Sequence, residues 1–129
     1  MKKGIFAAAV VLAVTASPVL AEQCTQGVHA VAAWTRSIEG NAVDWIANAR
    51  KLGFHVDHLP GNGTVVVYPP SYGHHINARY GHVAYVVDAD TDRNGKITVI
   101  DSNGICGGTR RQCKANQPNW LRAWVIHPK

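Results

Sequence analysis

Little in this 129-residue sequence suits a membrane span or a nucleic-acid groove. Its longest apolar run, Ile5 to Ala16, falls short of the roughly 20 residues a helix needs to cross a bilayer, and no later segment approaches it. The run has instead the layout of a secretory signal. Lys2 and Lys3 precede it, and Ser17-Pro18-Val19-Leu20-Ala21 follows with small residues where a signal peptidase reads. Cleavage after Ala21 is expected, giving a signal peptide over 1–21, a single domain over 22–129 and no stable membrane insertion thereafter. Glu22 and Gln23 are too large and polar for a lipobox ahead of Cys24.

Acidic residues are few, 8 against 13 Lys and Arg. Without Lys2 and Lys3 the net charge falls from +5 to +3, a mild preference for polyanionic surroundings. The basic residues are scattered apart from Arg110, Arg111 and Lys114, with no aromatic-interleaved stripe, so no nucleic-acid partner is expected. Cysteine is scarcer still, at three. In an oxidising compartment Cys106 and Cys113 are close enough in sequence to pair across Gly107-Gly108-Thr109, a ring worth roughly 2.5 kcal/mol by loop entropy. Cys24 is then left over, and a leftover thiol in an exported chain is a bridge to another molecule, a bystander or a reactive group.

The periodicities fit an α+β domain. Val28, Val31, Ala32, Ala33 and Trp34 predict a helix over 25–38, and Val43, Ile46, Ala47 and Leu52 a second over 41–52 with Gly53 as its stop. From Thr64 on the pattern turns to strands, at 64–68, 82–88, 96–101 and 120–126. Helices followed by an antiparallel meander make N-terminal helices packed on a sheet. The polar loop 69–79, with Pro69, Pro70, Gly73, His74 and His75, is long enough to be functional.

Placed at the first turn of a helix, the Cys24 sulfur faces unpaired N–H groups and the positive end of the dipole, a setting that favours thiolate. Those N–H groups, including that of Cys24, are candidate donors to the oxyanion formed when an amide carbonyl is attacked, and the Gln23 side chain can add another. A thiolate nucleophile needs an imidazole to protonate the leaving amine. Of seven histidines, His82 is best placed: it opens the strand Tyr80-Gly81-His82-Val83-Ala84-Tyr85-Val86. His29 lies within a helix, and His55, His58 and His127 sit at element ends. His74 and His75 suit substrate contacts or solvent. At the end of the neighbouring strand, Asp101 and Asn103 are two apart and so predicted on one face, and either can fix the imidazole tautomer.

Four segments in order, Gln23-Cys24-Thr25, Gly40-Asn41-Ala42-Val43-Asp44-Trp45, Tyr80 to Val86 and Asp101-Ser102-Asn103, resemble the CHAP family of cysteine, histidine-dependent amidohydrolases and peptidases. The resemblance spans roughly Gln23 to Gly104. It implies a papain-like fold and cleavage of an amide bond in peptidoglycan, at the muramic acid–peptide junction (N-acetylmuramoyl-L-alanine amidase) or within peptide bridges (endopeptidase). Cys24 matches the nucleophile and His82 the base, with Asp101 at the position of an acidic orienting residue and Asn103 at that of an asparagine. Gln26-Gly27 replaces the aromatic pair common after the nucleophile. The implied protein is a periplasmic or secreted monomer with peptidoglycan as partner and no cofactor.

A competing motif runs from Asp90 to Asp101. Asp90, Asp92 and Asn94 stand at ligand positions of an EF-hand-type calcium loop, Gly95 at its turn and Asp101 at its closing acid. The flanks alternate as strands, however, and Asn94-Gly95 is a hairpin signal, so a hairpin is the preferred reading. Calcium and catalysis would compete for Asp101. No two histidines lie at helix-face spacing with a third ligand, and adjacent His74 and His75 point apart, so no zinc site is expected. The alternative to an enzyme is a wall-binding or calcium-dependent secreted module that keeps the fold without turnover.

Overall fold

The computed structural model describes residues 22–129; the expected signal peptide lies outside them. Helix α1, Cys24–Val31, begins at Gln23, which has extended backbone and whose N–H donates to the Gln26 side chain at 2.8 Å. It stops well short of Ile38. Ala32 leaves the helical region at φ −130°, and a 3₁₀ turn, Ala33–Thr35, follows. The Thr35 hydroxyl and N–H both donate to the Ala32 carbonyl, at 2.7 and 3.0 Å, and this local bonding replaces the next helical turn. Trp34 is thereby set against Phe54, while Ile38 is fully buried. Helix α2, Ala42–Lys51, matches its expected span apart from the flanking residues; Asp44 accepts the Asn41 N–H, and Arg50 and Lys51 complement the dipole at its end.

The sheet has six strands, β1 His55–Asp57, β2 Val65–Tyr68, β3 His82–Asp88, β4 Lys96–Asp101, β5 Arg111–Asn116 and β6 Trp124–His127. Their order is β1-β6-β2-β3-β4-β5, antiparallel throughout. The sequence predicts the inner strands and misses β1 and β5, both at edges. Three residues with one apolar side chain, and Arg-Gln-Cys-Lys-Ala-Asn, carry no period because an edge strand tolerates polar residues on both faces. Strand β6 begins at Trp124 and not at Trp120, because the Asn119 carbonyl accepts the N–H groups of Arg122 and Ala123 in a turn.

All four residues of β2 are buried, as expected where both sheet faces are covered. One face receives the helices: Val28 and Trp45 pack with Val65, Val67, Val83 and Ile126. Loops close the other, Ile76 packing on Val66, Tyr68 and Val86, and Ile105 and Trp120 on the cluster around Ala84 and Val99. Trp45 is fully buried, stacks on His29 at 5.1 Å and donates its indole N–H to the Gly40 carbonyl. Trp45→Ala is expected to cost about 3–5 kcal/mol, measured by urea unfolding. No helix among the described residues is long and apolar enough to cross a membrane.

Candidate active site

Antiparallel pairing brings the start of β3 and the end of β4 to the same end of the sheet, and with them His82 and Asp101. The chain enters β3 through Gly81, which has φ +73° and would drive a Cβ into the Tyr68 carbonyl; only glycine serves there. His82 and Asp101 are both buried, and His82 Nε2 donates to Asp101 Oδ2 at 2.8 Å. The carboxylate as acceptor puts the Nε2 proton on that side and leaves Nδ1 as the nitrogen free for the opposite partner. On that opposite side lies the cleft that His82 shares with Cys24, the first residue of α1. Burial opposes charge on the ring, but the bond to Asp101 and then the neighbouring Cys24 outweigh it and push His82 up to about 9. An imidazolium is therefore held through neutral pH.

Asp101 is fixed in turn. Oδ2 also accepts the Ile105 N–H at 2.7 Å, and Oδ1 the Cys106 N–H at 3.1 Å. Asn103 does not share that task. The strand ends at Asp101, and Asn103 turns to φ +55°, so period-two alternation no longer relates the two residues. Asn103 instead lines an open cleft of about 310 Å³ with Gln23, Cys24 and His82. Across it stand Asn41, His75, Asn77 and Tyr80. The 69–79 loop thus forms a wall of the cleft, held by Asn77 Oδ1, which accepts the N–H groups of Arg79 and Tyr80, and by the bond from the Val43 N–H to the Tyr80 carbonyl. His75 lines the cleft, whereas His74 lines only a second cavity beyond His75 and Ile76. Burial also pushes the Tyr68 hydroxyl up, so the phenol whose ring centroid lies 6.0 Å from that of His82 stays neutral.

Several contributors carry no side-chain signature in the sequence. Ile105 and Cys106 act through backbone N–H groups. Gly104 lies so close to the His82 ring that an added Cβ would overlap it. Gly104→Ala should displace the imidazole and lower turnover by about 10²-fold, read as kcat at unchanged secondary structure by circular dichroism. Gly27 is constrained likewise, by buried Ser102, whose hydroxyl donates to Glu22 at 3.0 Å.

The competing calcium residues lie elsewhere. Asp90, Asp92 and Asn94 form the tip of the β3–β4 hairpin, where Asp92 Oδ1 accepts the N–H groups of Asn94 and Lys96 and Oδ2 is 4.0 Å from the Lys114 ammonium. Asp101 is at the far end of β4, about 17 Å away at the rise of a strand, so it cannot fold over the same ion. Among the described residues no three His, Cys, Asp or Glu side chains are grouped to hold a metal. Cys106 and Cys113 form a disulfide and Cys24 is a free thiol.

Helices packed on an antiparallel sheet, with a cysteine at a helix start facing a buried His–Asp pair, define an α+β fold of the papain-like kind. The CHAP domain family matches residues 15–103, and the chain belongs to that family. A Streptococcus mutans serotype c protein named "Putative hydrolase" is 38% identical over 81 residues, covering 63% of this chain and 34% of its own. The crystal structure of N-acetylmuramoyl-L-alanine amidase from Staphylococcus aureus superposes with a TM-score of 0.61 at 25% identity, over 83% of this chain and 30% of the amidase chain. The chain thus spans about a third of the length of each.

Proposed function

We propose that the protein is an exported hydrolase that cleaves an amide bond of peptidoglycan, as an N-acetylmuramoyl-L-alanine amidase or an endopeptidase, with Cys24 as nucleophile. The observation that carries this reading is the placing of Cys24 and His82 on one open cleft, with His82 bonded on its buried side to Asp101. Family membership and the likeness to an amidase support the substrate class.

In this mechanism the Cys24 thiolate attacks the amide carbonyl carbon, and the C=O electron pair moves to oxygen. First-turn N–H groups, including that of Cys24, and the Gln23 amide donate to the oxyanion. The C–N bond then breaks as the His82 imidazolium gives its proton to the amine. The neutral imidazole next takes a proton from water, hydroxide attacks the thioester carbonyl, and the C–S bond breaks to return thiolate and release the acid. Asp101 stays ionised throughout and holds the ring. Removal of residues 1–21, a periplasmic or secreted location and a monomeric state belong to the same proposal.

Purified sacculi test it. Incubation with the protein should release soluble fragments and free amino groups in step, with activity falling above about pH 9 as His82 loses its proton. Sacculi that gain no amino groups on either side of neutrality would leave the fold as a binding module.

A further inference from the structure

Asp101 depends on a loop outside the strand pairing, held by packing of Ile105 on the sheet and by the Arg110 N–H on the Ser102 hydroxyl at 2.8 Å. Residues Ser102 to Arg110 leave β4 and return to β5 through three glycines and three positive-φ positions beyond Asn103, at Gly107, Gly108 and Arg110. The loop's internal backbone bonds are few, from the Gly107 N–H to the Gly104 carbonyl at 3.2 Å and from the Asn103 N–H to the Gly108 carbonyl at 2.8 Å. Yet this segment supplies both N–H groups that grip the Asp101 carboxylate, and its Gly104 backs the His82 ring. One covalent tie anchors it: Cys106, itself a donor to Asp101, is bonded to Cys113, which sits in β5 opposite Val99 of β4. The disulfide therefore joins the carboxylate's donor to the strand beside the one that ends in the carboxylate.

We infer that the Cys106–Cys113 disulfide is a positioning device for the reactive pair: closed, it holds the Ile105 and Cys106 N–H groups on Asp101 and so keeps His82 aligned on Cys24; open, it frees the loop and leaves a folded protein with a weakened site. The inference rests on the Cys24–His82–Asp101 mechanism proposed above. Closure joins two thiols by exchange with a disulfide donor, which takes two electrons and two protons and leaves as a dithiol. A chain whose Cys106 and Cys113 are still reduced is held in the low-reactivity state.

The titratable groups around His82 are Cys24 from α1, Tyr68 from β2, Asp101 from β4, and His75 and Tyr80 from the loop across the cleft. Tyr68 stays neutral, and the bond to Asp101 comes ahead of Cys24 among the contacts that raise the ring's proton affinity. A carboxylate released from two N–H donors can rotate away from Nε2, and the ring loses its alignment with it.

The test compares oxidised wild type with the double variant Cys106→Ser, Cys113→Ser; each carries Cys24 as its single free thiol. Iodoacetamide alkylation is followed by intact mass from about pH 5 to about pH 10. Wild type should show a step governed by His82 near pH 9. In the double variant the step should fall by about one pH unit or more, and alkylation at neutral pH should slow by about threefold or more. Superimposable profiles, or a uniform slowing with the step in place, would overturn the inference. Should the double variant lack native near-UV dichroism, the same profile is read at the Cys24 peptide of wild-type protein reduced with dithiothreitol and then reoxidised. A step that drops and returns supports the device, and one that does not move refutes it. No wall polymer enters this experiment, so its failure leaves peptidoglycan cleavage standing, and inactivity on sacculi leaves its result standing.

Discussion

Cys24→Ala should lower release of fragments from sacculi by at least about 10⁴-fold and leave the fold intact. The size of the effect follows from where the residue stands. In the proposed mechanism Cys24 is the nucleophile, so its loss removes the covalent route and leaves only the first-turn N–H groups and the cleft to favour reaction with water. The fold should survive because Cys24 is only half-buried and its amide starts α1 whatever the side chain. Alanine is also a good helix former. Thermal unfolding within about 2 °C of wild type, alongside the lost activity, would separate a chemical from a structural role. Residual activity near the wild-type level would assign the chemistry to another group.

Asp101→Asn is the second large effect, expected to lower kcat by about 10²–10³-fold with KM little changed. Three donors converge on this side chain: His82 Nε2 and the Ile105 N–H on Oδ2, and the Cys106 N–H on Oδ1. A carboxylate accepts all three. An amide has one oxygen, so its NH₂ must face at least one donor in a buried place. In one orientation it opposes Cys106; in the other it opposes both His82 and Ile105. The negative charge that favours imidazolium is lost as well. The sign is definite: the bond to Asp101 raises His82, so removing the charge lowers its proton affinity, and the alkaline fall in activity near pH 9 should move down toward the ordinary imidazole range. A pH–kcat profile reads both effects. A profile unchanged in its alkaline limb would mean that Asp101 does not act through His82.

The positions of the residues proposed to react were legible in the sequence because each sits where local structure announces itself. Cys24 stands at a helix start, His82 after the one glycine that can turn into β3, and Asp101 at the end of an alternating strand. What could not be read were interactions without side-chain pattern. The N–H groups of Ile105 and Cys106 belong to the backbone, and the closeness of Gly104 to the ring is a property of tertiary packing. Asn103 shows where pattern arguments stop: two-residue spacing relates side chains only while the chain remains extended, and β4 ends two residues earlier. The edge strands β1 and β5 escaped for a related reason, since a period in hydrophobicity records burial on one face and their faces are largely open. The end of α1 was overestimated because Ala32 and Ala33 continue the apolar pattern while Thr35 redirects the backbone.

If Cys24, His82 and Asp101 cut an amide in peptidoglycan as proposed, the chemistry of the new ends must show it. Mass spectrometry of fragments from sacculi digested by the wild type should find new amines and new carboxyls in equal number, at the muramic acid–peptide junction or within the peptides. These ends should be missing after incubation with Cys24→Ala. New reducing sugar ends, or the same amide ends from both proteins, would contradict it.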